Sequence, residues 1–395
     1  MRFAFYSAMK ALPWGGSEEL WSRAAHVLLD RGHSVRVSYR EPWRSAPAPL
    51  TKLRRRGARI RWHGRSILGR SARRSLARMG LNTNPHVGWL DRTRPDLVVI
   101  TIGIHTDDCS MAEACRRRGI PYVVNLQAAG DAHWMHDGNL DDFRGMYLGA
   151  RACFFVSREN LDVVETNLAA RVPHAAIVAN PFNVSWQAAP VWPDESDGLR
   201  MACVGRLHME SKGQDLVVEV MRRDKWRSRP LRVVFWGSDH GDGRRLNDLI
   251  RLHALGDRLS IGGYSNDIEQ LWSRHHALLL PSRYEGSALA LLEAMICGRT
   301  AIATTVGRAG EFIADNQTGF LADAATADML DEAMERAWQR RGAWREMGAH
   351  AGQRIRANYN SSPEADFASL LEQVANGQEI RWQRNGQQAA VGEAA

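Results

Sequence analysis

The chain has 395 residues, a hydrophobic content of 44% and a formal net charge of +8. That length exceeds one ordinary core and implies two domains of roughly 100 to 200 residues each. No apolar run approaches the roughly 18 residues needed to cross a bilayer, and the stretch from Met1 to Met9 reads as a buried strand rather than a signal peptide. Five cysteines (Cys109, Cys115, Cys153, Cys203, Cys297) without C-x-x-C or finger spacing point to reduced core thiols and a cytoplasmic protein. The 14 histidines lack ligand spacing, so no protein-bound metal is expected.

In chain order, Phe3 to Ser7 reads as a strand, followed by a Gly-containing loop and a helix over about 17–31 with Leu20, Ala24, Val27 and Leu28 on one face. Val35 to Tyr39 alternates like a strand, and further apolar strands fit Leu97 to Ile100, Tyr122 to Leu126, Cys153 to Val156 and Ala176 to Ala179. Helical patterns lie between them, the mark of a doubly wound parallel sheet. Prolines and small residues then interrupt the pattern around 181–198, which reads as a linker. The alternation restarts with strands at Met201 to Val204, Leu231 to Trp236, Leu259 to Ile261, Ala277 to Leu280 and Ala301 to Thr304. The expected domains are therefore 1–183 and 199–360, joined by a hinge at 184–198. Two helical stretches (about 325–340 and 343–358) precede a last helix at about 361–376, which starts at Ser361-Ser362-Pro363 and completes the first domain. The small, polar tail 377–395 is expected to be disordered.

Charge is uneven along the chain. Between Pro42 and Leu90 there is no acidic residue, while Arg44, Lys52, Arg54 to Arg56, Arg59, Arg61 and five further arginines up to Arg78 are basic. This segment, 44–78, reads as a solvated face, or as a patch for an anionic membrane or an anionic acceptor. Nucleic acid is not expected, because no recognised binding motif accompanies the charge.

Three segments carry candidate chemistry. The first βα loop contains Trp14, Gly15, Gly16 and Ser17, where the glycines allow close backbone approach to a ligand and Ser17 suits an N-cap. It lacks G-x-G-x-x-G, which argues against a nicotinamide enzyme. Arg206 and Lys212 follow a strand of the second domain, two cations where a parallel sheet receives a diphosphate. In P-S-R-Y-E-G-S-A-L-A-L-L-E, Glu285 lies in a loop and Glu293 on a helix expected from Ser287. That helix N-terminus favours a phosphate, with the glutamates free either to hold ligand hydroxyls or to act as an acid/base pair.

Together, G-G-S-E at 15–18, N-P-F-N at 180–183, V-G-R-L…S-K-G-Q-D at 204–215, L-P-S-R-Y-E-G-S-A-L-A-L-L-E-A-M-I-C-G-R at 280–299 and G-R-A-G-E-F-I-A-D-N-Q-T-G-F at 307–320 resemble the GT-B glycosyltransferases of family four. The resemblance implies an α/β GT-B fold, two Rossmann-like domains facing across a cleft, with the last helix crossing back to the first, acceptor-binding domain. It implies a retaining transferase that uses a nucleotide-sugar donor and a sugar or lipid-linked acceptor, without a cofactor or metal. By the same resemblance Arg206 and Lys212 bind the donor diphosphate, Glu285 contacts the transferred sugar and Glu293 holds the ribose. Backbone at Ser287, Ala288 and Leu289 caps the phosphates, and Gly15 and Gly16 approach them from the first domain. Two departures stand out: Gln127 occupies a position where the family often has a histidine, with Asp131 and His133 just beyond, and E-G-S-A-L replaces E-G-F-G-L. Trp14 suits an acceptor contact, although core packing is the commoner role for tryptophan. Cell-surface polysaccharide, lipid-linked glycan or metabolite synthesis is expected, in the cytoplasm or at the inner membrane face. Altered GT-B chemistry or a catalytically silent sugar-nucleotide-binding subunit remain alternatives.

Overall fold

The computed structural model describes residues 1–9, 14–40, 46–63, 84–131, 133–381 and 390–391. The chain divides into two units, Met1–Pro181 with Ser362–Ala395, and Phe182–Ser361. The first is built on seven strands: β1 (Arg2–Ser7), β2 (Ser34–Arg40), β3 (Arg59–His63), β4 (Leu97–Ile102), β5 (Tyr122–Leu126), β6 (Ala152–Phe155) and β7 (Ala175–Ile177). Their order is β3-β2-β1-β4-β5-β6-β7, and every pairing is parallel. Helices cover both faces of such a sheet, so its central strands read as continuous apolar runs; L-V-V-I-T-I of β4 is buried throughout.

The last helix, Pro363–Ala375, has its proline at the first helical position and packs into the first unit. Phe367 meets the Phe154 ring edge-on at 5.2 Å, and Leu371 and Val374 join Leu20 and Leu28 in one cluster. Glu372 accepts from Arg31 at 2.5 Å and pairs with His33 at 2.6 Å.

The second unit holds β8 (Leu199–Val204), β9 (Leu231–Trp236), β10 (Leu259–Gly263), β11 (Ala277–Leu280), β12 (Thr300–Thr304) and β13 (Gly319–Ala322), in the order β10-β9-β8-β11-β12-β13, all parallel. Strand order reverses at β1/β4 in one sheet and at β8/β11 in the other. These are the switch points outside whose C-terminal ends open α/β sheets receive ligands.

Several expectations need correction. The basic segment, read as a solvated loop and helix face, does contain a helix, Ala48–Arg55, but also the strand β3, which the sequence reading passed over. R-I-R-W-H keeps strand alternation, but charge disguises it, and the edge position tolerates that charge. Lys52, Arg54, Arg55, Arg56 and Arg59 are exposed, and Arg56 pairs with Asp30; Arg44, Arg65, Arg70, Arg73, Arg74 and Arg78 lie outside the described residues. Ser17 caps no helix. It sits within a 3-10 turn, Gly16–Glu18, and the α-helix begins only at Glu19. The stretch taken as a linker is fastened to the second unit. Arg356 Nε donates to the Trp186 carbonyl at 2.9 Å, and Arg299 Nη2 donates to the carbonyls of Pro190 and Val191 at 3.2 and 2.7 Å. Of the tail, Ile380–Arg381 and Ala390–Val391 pair as short antiparallel strands, while 382–389 and 392–395 lie outside the described residues. All five cysteines are free; Cys109 is only partly covered, the other four are buried.

Candidate active site

In the second unit, the loops leaving β8 and β11 meet at the switch point. Lys212 ends the single helical turn Met209–Lys212, and its Nζ reaches Glu285 Oε1 at 2.5 Å. Ser282 Oγ donates to the same oxygen at 2.8 Å. Both members of the pair are largely buried, so little water screens their attraction. The close approach depends on two glycines. Gly213 has φ +65, and a Cβ there would lie 2.0 Å from the Pro281 carbonyl oxygen. Gly307 has φ +61, and its Cβ would meet the Gly286 carbonyl oxygen at 2.5 Å and Glu285 Cβ at 3.2 Å. Any side chain at either position would push the loops apart.

Arg206 directly follows β8 and its side chain is exposed, without a hydrogen bond or ion pair to the described residues. Its charge reaches Tyr284, whose phenol is raised by burial and by Glu210, with Ser211 and Arg206 opposing. Gln214 Nε2 holds the Arg206 carbonyl at 2.7 Å.

The helix beside Glu285 runs Leu289–Ile296, two residues later than the sequence suggested, because Ala288 is extended (φ −63, ψ 102). No side chain caps its N-terminus, so its first N–H groups are left for another acceptor. The Ser287 hydroxyl just before it is buried, with the residue 7% exposed, and has no hydrogen-bond partner. An unpaired buried hydroxyl next to uncapped helix N–H groups is costly without a ligand and suits an anion with several acceptor oxygens. Glu293 is buried on the same helix, and its Oε1 accepts from the Asn183 backbone N–H and from Asn183 Nδ2, both at 2.9 Å. Sequence reasoning quoted N-P-F-N but assigned Asn183 no partner; a side-chain amide 110 positions from Glu293 leaves no local signal.

In the first unit, Gly15 is extended (φ −154) and opens the turn Gly16–Glu18. Trp14 stacks on Tyr39 at 5.9 Å and donates to Glu19 at 2.8 Å. The sequence reading also passed over Glu18 as a functional group. Its carboxyl is 1% exposed and accepts from Ser7 Oγ at 3.0 Å and Trp21 Nε1 at 2.7 Å. Burial raises it from 4.5 to about 7 against those two hydrogen bonds. Gln127 is buried in an amide ladder, donating to Asn125 at 3.1 Å and accepting from Asn180 at 3.0 Å. Asp131 is exposed in the loop after β5, and the His133 carbonyl receives His105 Nε2 at 2.7 Å. Among the described residues, no group of three or more His, Cys, Asp or Glu side chains is arranged to hold a metal ion, and no helix is long and apolar enough to cross a membrane.

A two-sheet α/β protein with its charged pair at the second switch point has counterparts among known proteins. Residues 198–340 match the family Glycosyl transferases group 1. A D-inositol 3-phosphate glycosyltransferase of Frankia alni is 30% identical over 173 residues, 40% of this chain and 42% of that protein. A glycogen synthase of Pseudomonas syringae is 27% identical over 146 residues, 37% of this chain and 30% of that protein. These matches span less than half the length of either relative. Anabaena HepE, solved in complex with UDP-glucose, superposes with a TM-score of 0.72 at 16% identity, covering 94% of this chain and 99% of that one. The fold is GT-B.

Proposed function

We propose that the chain is a glycosyltransferase that moves a sugar from a nucleotide-diphosphate sugar to an acceptor hydroxyl, with retention at the anomeric carbon and without a metal ion. The observation that carries the reading is the Lys212–Glu285 pair beside an uncapped helix N-terminus and the unpartnered Ser287 hydroxyl. Breaking the anomeric C–O bond builds negative charge on the leaving diphosphate and positive charge on the sugar ring. Arg206, Lys212 and the first N–H groups of Leu289–Ile296 offset the first charge, which is preorganised electrostatic stabilisation. Two cations and a helix N-terminus supply what a bound metal would otherwise supply to the diphosphate. Glu285 stands at the sugar end and balances Lys212 until phosphate arrives. Glu293, oriented by its two Asn183 bonds, binds the ribose hydroxyls. The family match over 198–340 and the UDP-glucose complex of the HepE structure support a sugar nucleotide as donor.

The test is a thermal-shift panel of uridine, guanosine and adenosine diphosphate sugars on the wild type, Glu293→Ala and Lys212→Ala, with the stabilising donor then carried into an assay in EDTA. Stabilisation by one donor, lost in both variants, and an EDTA-resistant product with the donor's anomeric configuration are expected. If no sugar nucleotide stabilises the wild type, the reading fails; product inversion would remove the stereochemical part alone.

A further inference from the structure

Two residues of the same motifs have no role in the chemistry above, yet they join the two loops that carry it. Arg283 lies two residues before Glu285, and Asp215 lies three after Lys212. Arg283 Nη1 and Nη2 donate to Asp215 Oδ1 and Oδ2 at 2.8 and 2.7 Å, a bidentate pair. The same Nη1 reaches the Met209 carbonyl at 2.7 Å, and the Arg283 backbone N–H reaches the Ser211 carbonyl at 2.9 Å. Arg283 thus grips, with side chain and backbone together, the one turn that ends in Lys212. Two residues later its own chain delivers Glu285 to the Lys212 ammonium.

We infer that Arg283 and Asp215 are a positioning pair that sets Lys212 against Glu285, and with it the spacing at which a nucleoside diphosphate is received. This rests on the nucleotide-sugar reading above. Both side chains are about one-third exposed, and a pair that exposed adds little to stability. What the fork-to-fork geometry supplies is direction, since the planar guanidinium meets the carboxylate in one orientation only. A lysine on a flexible stem has no such preference of its own. A turn of four residues, Met209–Lys212, held by Arg283 at the Met209 and Ser211 carbonyls, fixes the backbone from which the Lys212 side chain starts.

The experiment uses the full chain with Asp215→Asn and Arg283→Lys, each alone and in a Lys212→Ala background. UDP, GDP and ADP are titrated by calorimetry. Lys212 acetylation by an activated ester, without ligand, is followed by mass spectrometry. Each substitution is expected to weaken the nucleotide that the wild type binds by about tenfold to a hundredfold, as misplacement of a binding group by an ångström does, and to change affinity by less than about twofold once Lys212 is gone. Lys212 acetylation is expected to rise several-fold in both variants, while Lys225 and Lys52 react as before. Equal losses with and without Lys212, or unchanged acetylation of Lys212, overturn the inference. Binding of no nucleoside diphosphate by the wild type, together with faster Lys212 acetylation in the variants, overturns the donor reading and leaves the positioning pair standing.

Discussion

Glu18 ties the stability of the first unit to one proton, and Glu18→Gln measures it. Burial raises the carboxyl from 4.5 to about 7, with the Trp21 and Ser7 hydrogen bonds pulling the other way. The folded state therefore keeps the proton up to about 7, whereas the unfolded chain releases it near 4.5. The stabilisation is fully present below the unfolded value and is lost as pH rises through the folded one. A tenfold difference in proton affinity is worth about 1.4 kcal/mol, so this group controls about 3 kcal/mol in all. Of that, about 2 kcal/mol falls between about pH 5.5 and about pH 8.

Glutamine keeps the shape and does not titrate. The informative quantity is the variant-minus-wild-type difference, because other groups move the raw curve. His63, held down to about 4 by burial and then by Arg61, has the opposite sign: its stabilisation is present above its ordinary value and lost as pH falls. Urea unfolding across this pH range, read from amide exchange of the helix Glu19–Asp30, isolates the first unit. Glu18→Gln is expected to gain about 2 kcal/mol on the wild type between the acid and alkaline ends, or about 4 to 8 °C in Tm for a unit of this size. A difference flat within about 0.5 kcal/mol would mean that the two hydrogen bonds hold the anion, and the reasoning would fail.

Removing the Ser287 hydroxyl with Ser287→Ala is expected to raise the stability of the ligand-free protein by about 1 kcal/mol, because a buried hydroxyl without a partner is taken away. Affinity for the stabilising nucleoside diphosphate is expected to fall about tenfold, the worth of one hydrogen bond to a charged oxygen; calorimetry and a melt on the same samples check both, and unaltered affinity refutes the assignment. Arg299 is 3% exposed, and burial lowers its guanidinium to about 10. It donates only to carbonyls, those of Trp272, His275, Cys297, Pro190 and Val191. Arg299→Ala takes the donor from three buried carbonyls, those of Trp272, His275 and Cys297, and from two partly buried ones. It is expected to cost about 3 kcal/mol or more, read from the urea midpoint of the second unit, and a loss under about 1 kcal/mol would show that water replaces the guanidinium.

What the sequence reveals of this molecule follows from how local the physics is. Most buried strands of both sheets were legible because a parallel sheet covered on both faces needs unbroken apolar runs, as in β4 and β11; the four-residue edge strand β13, G-F-L-A, was too short to stand out. β3 was not, since an edge strand buries too little to select against Arg59 and Arg61. The helix start moved from Ser287 to Leu289 because one extended residue, Ala288, is invisible to composition. Arg206, Lys212 and Glu285 were legible as charges after strands. What brings Lys212 to Glu285, however, is the adjacency of β8 and β11, a crossover past β9 and β10 that no local pattern encodes. Arg299 shows the same limit more sharply. Its acceptors are main-chain carbonyls, which every residue possesses, so no residue type at 190, 191, 272, 275 or 297 could have announced them. Contacts that fasten loops to a sheet are written in backbone atoms, and only the folded chain assigns them partners.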